Sequence, residues 1–193
     1  MRDLNNRRSI RLKEYDYSHP GAYFVTICTR DRECLLGQIE NADVVLSEAG
    51  KIAQSVWTRL PSRFPSVTLD EYVIMPNHIH GIILVGAQFI APDSRGGMEN
   101  RVYTLGDIVR TYKATVTRIV RLRNNSATDR DSMKAGVMNH APTGTTQFGW
   151  QRNYYEHVIR NEDDLADVRE YIVGNPALWD KDENNPALVR PYR

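Results

Sequence analysis

The chain is short of cysteine, of long apolar runs and of net charge, and each shortage narrows what it can be. Two cysteines in 193 residues, Cys28 and Cys34, fit a reducing compartment, and their spacing matches no zinc pattern. We read both as ordinary residues. No apolar run reaches the ~20 residues that span a bilayer. The opening stretch MRDLNNRRSIRLKEYDY holds no apolar segment of the signal-peptide kind. A cytoplasmic protein with no membrane partner is expected. A formal net charge of +1 counts against a protein that coats duplex DNA by charge alone. There is no internal repeat.

What is present is an ordinary globular composition, 41% hydrophobic and 25% charged. That is enough apolar mass for one core, and one domain over residues 1–193 is expected. Charge is spread unevenly. Arg2, Arg7, Arg8, Arg11 and Lys13 face only Asp3 in the first 13 residues, which marks a basic arm over 1–20. A second basic group lies at 110–123, and 162–170 is acidic.

Residues 22–29 (AYFVTICT) are β-branched and aromatic and read as a strand. Residues 36–46 alternate around Glu40-Asn41-Ala42-Asp43, a small hairpin. Ser47 caps a helix to about Leu60, before Pro61. Residues 67–75 and 79–85 read as two strands joined by the turn Pro76-Asn77. The second is apolar on both faces. Its Ile79, Ile83 and Val85 call for an interface or for cover from within the chain. Residues 86–103 form a loop, and Thr104 caps a helix to about Leu122. On that helix Leu105, Ile108, Tyr112, Val116 and Ile119 share one face, and Arg110, Lys113, Arg118 and Arg121 share the opposite one. The basic stripe serves solubility or a polyanionic partner. Residues 123–147 lack periodicity and read as a flexible insertion. A further strand lies within 148–160, and Asn161 caps a last helix with Glu162, Asp163 and Asp164 in its first turn. It ends near Gly174-Asn175-Pro176. The order β-α-β-β-α-β-α predicts an α+β, ferredoxin-like (βαββαβ) antiparallel sheet with helices on one face and an added C-terminal helix.

Two sets of residues could carry chemistry. His78 and His80 stand at i and i+2 of a strand, so both imidazoles point to one face and can reach one ion. Ile82 and Leu84 continue that face toward a helical layer. Imidazole alone favours zinc, copper or iron over magnesium. Tyr171 and Asn175 stand at i and i+4 on the last helix, at the rim of the apolar stripe Leu165, Val168 and Ile172. Asp164 and Asp167 lie on the same side. Packing is the ordinary fate of a helical tyrosine. Among the other tyrosines, Tyr112 suits the core, and Tyr154 and Tyr155 should point in opposite directions. Tyr23, Phe24 and Trp150 are core candidates that could instead stack on bases.

Three stretches, YDYSHPGAYFVTICTR, YVIMPNHIHGIILV and WQRNYYEHVIRNEDDLADVREYIVGNP, together resemble the REP-associated tyrosine transposases, a group within the single-tyrosine HUH transposases of insertion sequences. The resemblance runs from about Arg8 to Trp179. It implies His78 and His80 as the HUH metal ligands, Tyr171 as the nucleophile on a catalytic C-terminal helix, and Asn175 as the polar residue completing the metal site. His157 matches a recurrent histidine, for which a structural hydrogen bond is expected. The implied activity is metal-dependent nicking and rejoining of single-stranded DNA through a 5′-phosphotyrosine, with Mg²⁺ or Mn²⁺. The partner implied is hairpin-flanked single-stranded DNA, in a nucleoid-associated monomer or homodimer. Arg7, Arg8, Arg11, Arg110, Lys113, Arg118 and Arg121 are then candidates for backbone contacts. Two other readings remain: a non-catalytic single-stranded nucleic-acid module on a ferredoxin-like sheet, and a zinc hydrolase built on His78 and His80. The second lacks a carboxylate at suitable spacing near them.

Overall fold

The computed structural model describes residues 20–86, 103–135 and 148–188. The basic arm, with Arg7, Arg8 and Arg11, lies outside the described residues apart from Pro20.

Four strands make the central sheet: β1 (Gly21–Cys28), β4 (Val67–Ile74), β5 (His78–Val85) and β6 (Tyr155–Ile159), in the order β4-β5-β1-β6. Every pairing is antiparallel. The chain starts in the middle at β1 and crosses by helix α1 (Glu48–Thr58) to the edge strand β4. It turns at Pro76-Asn77 into β5, then crosses by helix α3 (Leu105–Ala135) to the other edge, β6. That is the ferredoxin-like split βαβ arrangement, so the expected α+β class is the observed one. A hairpin of β2 (Gly37–Glu40) and β3 (Asp43–Leu46) sits between β1 and α1. Its two-residue turn holds Asn41 and Ala42 at positive φ, 52° and 67°, the left-handed turn that matches strand twist.

Three helices start where side chains satisfy their free amides. Ser47 Oγ accepts from Gly50 N (3.1 Å), and Asn161 Oδ1 accepts from Asp164 N (2.8 Å). At α3, Thr104 Oγ1 accepts from Asp107 N and Asp107 Oδ2 accepts from Thr104 N, a reciprocal cap. Pro61 does not end the helical region. It lies in the first turn of a short helix α2 (Leu60–Arg63) that follows α1 at once, where a missing N–H costs nothing.

Helix α3 departs from expectation. It runs past Leu122 to Ala135, so the first part of the segment read as a flexible insertion is helical. Between Asp107 and Ala135 there is neither Gly nor Pro, and Gly136 is the first breaker. Apolar periodicity ends at Leu122, yet nothing there forces the backbone out of helix. Residues 136–147 lie outside the described residues.

Residues on successive positions of β1 and β5 face opposite sides of the sheet. Tyr23, Val25, Ile27, Ile79 and Ile83 join Ile52, Ala53 and Trp57 of α1 and Leu105, Ile108, Tyr112 and Val116 of α3 in the main core. The apolar side of β5 that could have been an interface is thus covered from within the chain. Gly81 is needed here. A Cβ at that position would stand 2.4 Å from the Trp57 ring, so glycine lets the indole lie against β5. On the other face helix α4 (Glu162–Gly174) seats Ile172 on Phe24, Ile82 and Ile159, with Leu165 and Val168 beside them. The Ile82 side of β5 therefore meets the C-terminal helix, not the α1–α3 layer. Arg169 clamps α4 to Asp70 of β4 through two parallel hydrogen bonds. No helix among the described residues is long and apolar enough to cross a membrane.

Candidate active site

The α4 face of the sheet changes character at the strand ends. Thr26 and Cys28 pair across β1 and β5 with His80 and His78, so these four side chains continue the row begun by Phe24 and Ile82. Both histidines are buried, His78 fully and His80 to within 2% of exposure. Phe24 stacks on the His80 ring at 5.3 Å.

The tautomer of His78 follows from its neighbours. Asn77 Nδ2 donates to the carbonyls of Arg32 and Asn184, both at 2.8 Å, which fixes the amide orientation. Asn77 Oδ1 therefore accepts, and His78 Nδ1 must donate to it at 2.8 Å. A neutral His78 then presents a bare lone pair at Nε2. Burial holds His78 near 3, helped by the charge of Arg32, so it is neutral at ordinary pH. His80 is also pushed down to about 3 by burial and by His78, against the pull of Asp182. Thr26 Oγ1 holds His80 Nδ1 at 2.9 Å.

The two Nε2 atoms face each other at 2.9 Å. Asp182 Oδ2 lies 3.5 Å from His78 Nε2. The other oxygen, Oδ1, accepts from Asn184 N at 2.6 Å. Oδ2 is buried and has no hydrogen-bond partner among the described residues, and the same is true of Asn175 Oδ1. A buried carboxylate oxygen beside a lone pair is costly unless something positive satisfies both. Two nitrogens on one ion at ~2.1 Å and right angles would be ~3.0 Å apart, close to what is observed. His78, His80 and Asp182 form a cluster whose ligand atoms lie within 4.8 Å of one another and could hold a metal ion. The donor set fits a divalent cation.

Asp182 is the residue that the sequence did not disclose, and it supplies the carboxylate whose apparent lack counted against a metal hydrolase. It follows the 3-10 turn Pro176–Lys181, more than 100 positions from the histidines, and no motif contains it. Asn77 and Trp179 were also missed as site residues. The Trp179 ring lies 6.1 Å from that of His78.

Tyr171 enters from α4. Its hydroxyl lies 3.3 Å from His80 Nε2, and its ring meets His80 at 5.2 Å and Phe24 at 6.0 Å. The residue keeps 45% exposure, so the hydroxyl stands between the cluster and solvent. Burial and the Asp182 charge raise its pKa above the ordinary 10, while a hydrogen bond from Asn175 favours the phenolate. Asn175 lies one turn on, buried to 3% at the end of α4. The chain thus brings His78, His80, Tyr171 and Asn175 to one place.

The remaining candidates separate. Asp164 is committed elsewhere: it accepts from Arg160 N and meets His157 Nε2 at 2.9 Å. His157 has the structural hydrogen bond expected of it. Asp167 is exposed on α4. Tyr23 and Trp150 are buried, so neither offers a face to a base. Tyr154 packs against the main core, whereas Tyr155 is half exposed on the α4 face. Arg110 pairs with Asp107. Lys113 is not a free cation: its Nζ is half-buried and donates to the carbonyls of Gln151, Arg152 and Asn153. Arg118 and Arg121 are exposed on α3.

No family model matches the chain. An uncharacterized protein of Haemophilus influenzae is 38% identical over 188 residues, covering 93% of each chain. Among solved structures, a REP-associated tyrosine transposase bound to a REP hairpin has a similar fold, with a TM-score of 0.50. The match covers 88% of this chain and 73% of that one, at 18% identity. At that identity the likeness is one of fold. The chain belongs to one family with the Haemophilus influenzae protein.

Proposed function

We propose that the chain is a metal-dependent enzyme that nicks and rejoins single-stranded DNA through Tyr171, as the resemblance implies. The observation that carries this reading is the placement of the half-exposed Tyr171 hydroxyl 3.3 Å from His80 Nε2, at the mouth of the His78–His80–Asp182 cluster. The similar fold of a transposase solved with a hairpin supports a hairpin-flanked single strand as the partner.

His78, His80 and Asp182 would hold the ion, with Asn175 Oδ1 as a further oxygen donor. Two oxygens beside two imidazoles, with substrate phosphate oxygens added, suit Mg²⁺ or Mn²⁺ better than imidazole alone would. Such an ion, when bound, polarises a phosphate oxygen and offsets the charge that develops there. The chain's own residues do the rest. Asn77 and Thr26 keep both imidazoles turned inward. Phe24 and Trp179 keep bulk water from them. Tyr171 attacks phosphorus: a Tyr–O–P bond forms, the P–O3′ bond breaks, and the 3′ oxygen leaves and takes a proton. The phenol proton passes to water at the half-open rim. Attack by the 3′-OH on the phosphotyrosine reverses the step and rejoins DNA. That Tyr171 and His80 meet within one chain supports a reaction completed within a single subunit.

A second reading gains from Asp182. Two histidines and one carboxylate also suit iron or zinc, and a hydrolytic metal centre would cleave without a covalent link. The reading as a non-catalytic single-stranded nucleic-acid module on the sheet loses ground, since Tyr23 and Phe24 are buried under helices. The test is incubation of the protein with labelled, hairpin-flanked single strands and Mg²⁺ or Mn²⁺, followed by denaturing electrophoresis. A protein–DNA adduct lost in Tyr171→Phe supports the proposal. Cleavage without adduct supports the hydrolase, and binding without cleavage supports the non-catalytic module.

A further inference from the structure

The opposite face of the same sheet end carries a groove of about 540 Å³ that the chemistry above does not use. It runs between α3 and the segment 149–152, and its lining includes Arg30, Arg118, Arg121 and Arg152. Four arginines line a space the size of a small-ligand pocket, and among the described residues no carboxylate lines it. Among the described residues none of the four is in an ion pair with an acid. A chain whose charges nearly cancel has concentrated unpaired positive charge in one cleft.

The groove is held in shape from within. Lys113 ties the wall to α3 by donating to the carbonyls of Gln151, Arg152 and Asn153. Arg30 lies against the backbone of Gly149, where a Cβ would meet its guanidinium at 2.9 Å. Arg30 N also donates to Gly149 O at 2.9 Å. Arg30 opens a turn in which Asp31 and Arg32 both take positive φ, 53° and 56°. Such a turn is strained in two consecutive non-glycine residues. It is secured by Asn77, which donates to Arg32 O while it accepts from His78. One asparagine thus anchors both the histidine and the turn that carries Arg30. The groove begins two residues beyond Cys28, the β1 residue paired with His78.

We infer that this groove is a second binding subsite for single-stranded DNA, taking the backbone phosphates of unpaired nucleotides that flank those in the catalytic pocket. Guanidinium groups bind phosphate bidentately, and the exposed Leu122 and the amides of Gln151 and Asn125 offer apolar and hydrogen-bonding contact to a base. A strand leaving the Tyr171 side would pass the half-exposed Tyr155 at the start of β6 and reach Arg152 three residues away in sequence. The groove extends the proposed function, on which it rests: it gives the enzyme a hold on DNA that is separate from the atoms that react.

The test uses the whole protein and an unstructured single strand of ~20 nucleotides, longer than the ~4–16 nucleotides of a typical single-strand site. Binding is followed by fluorescence anisotropy against salt concentration, and adduct formation is followed separately. Arg118→Glu/Arg121→Glu should weaken binding by at least ~10-fold and flatten the log–log salt slope by ~1.4, for two lost phosphate contacts at ~0.7 each. It should also raise the DNA concentration for half-maximal adduct while leaving the rate at saturation within ~2-fold. Gly149→Ala, which displaces Arg30 without changing charge, should weaken binding in the same direction. An unchanged affinity and slope in both variants would overturn the inference, as would equally tight binding of a blunt duplex. If the unsubstituted protein binds the strand through the groove but forms no adduct, the groove stands and the catalytic reading falls. Adduct formation with unchanged affinity in the variants gives the reverse.

Discussion

On one face of the central sheet Tyr23, Val25, Ile27, Ile79 and Ile83 meet two helices in an apolar core. On the other, four buried apolar residues (Phe24, Ile82, Ile159 and Ile172) give way at the strand ends to Thr26, His78, His80, Asn175 and Asp182. The same strands supply both faces through their period of two. The α1–α3 face can hold the fold because it buries large side chains with few polar demands. The α4 face is thinly packed, and its buried polar atoms are hydrogen-bonded except for Asp182 Oδ2 and Asn175 Oδ1, which have no partner among the described residues. Stability and chemistry are thereby assigned to different sides of β1 and β5, and substitutions one residue apart should fail in different ways.

The sharpest contrast is expected at Tyr171. Tyr171→Phe keeps the ring against Phe24 and His80 and removes only the hydroxyl. Adduct formation should fall by at least ~10³-fold, with the thermal midpoint almost unmoved. A large loss of stability would mean that this face also holds the fold. Ile83→Ala is the opposite experiment. The side chain is fully buried in the main core, so the loss should be ~2–5 kcal/mol of stability. Adduct yield per folded molecule should stay the same, as read by urea titration beside the cleavage assay. Loss of activity without loss of stability would blur the two faces.

Asn77→Ala sits between these extremes. It frees the Nδ1 of His78 and lets the Arg30–Arg32 turn relax. Calorimetric Mn²⁺ titration should show affinity reduced by ~10–100-fold, the usual scale for a residue that orients a ligand. Unchanged affinity would show that the cluster does not depend on that hydrogen bond. An effect of a different kind is expected on acid stability. The folded chain holds His78 and His80 near 3, below their ordinary 6.5. As pH falls below about 6.5 the unfolded chain binds these protons first, so stability is full above that value and declines toward 3. Urea midpoints should be lower at about pH 5 than at about pH 7.5. The difference should shrink when both histidines are replaced by phenylalanine, and an undiminished difference in that variant would place the sensitivity elsewhere.

Much of this was written locally in the chain. Ser47, Thr104 and Asn161 announce their helices because capping needs only a side-chain oxygen and a nearby amide. His78 and His80 announce a shared face because strand geometry leaves no choice. Tyr171 and Asn175 were legible as a stripe, and the match to a family pattern joined them to the histidines. What escaped was set by distance in sequence or by the absence of a stop. Asp182 reaches the histidines only through tertiary packing, and nothing in PALWDKDE marks it. The continuation of α3 to Ala135 needed no apolar face, so periodicity did not reveal it. Lys113 sat on the basic stripe by helical position, yet carbonyls of the next segment bind it, and no wheel shows a neighbour from elsewhere.

The account's central claim is that one tyrosine beside the His78–His80–Asp182 cluster forms the covalent link. Tyr155 is a second tyrosine on this face among the described residues: it is half exposed, and its ring lies 6.4 Å from that of Phe24. Trapping the adduct with Mn²⁺ and a hairpin-flanked strand, digesting it and locating the modified peptide by mass spectrometry distinguishes the two. The phosphonucleotide should be found on Tyr171, in the peptide that runs into Asn175. Its recovery on Tyr155, or cleaved DNA with no modified tyrosine, would contradict the account.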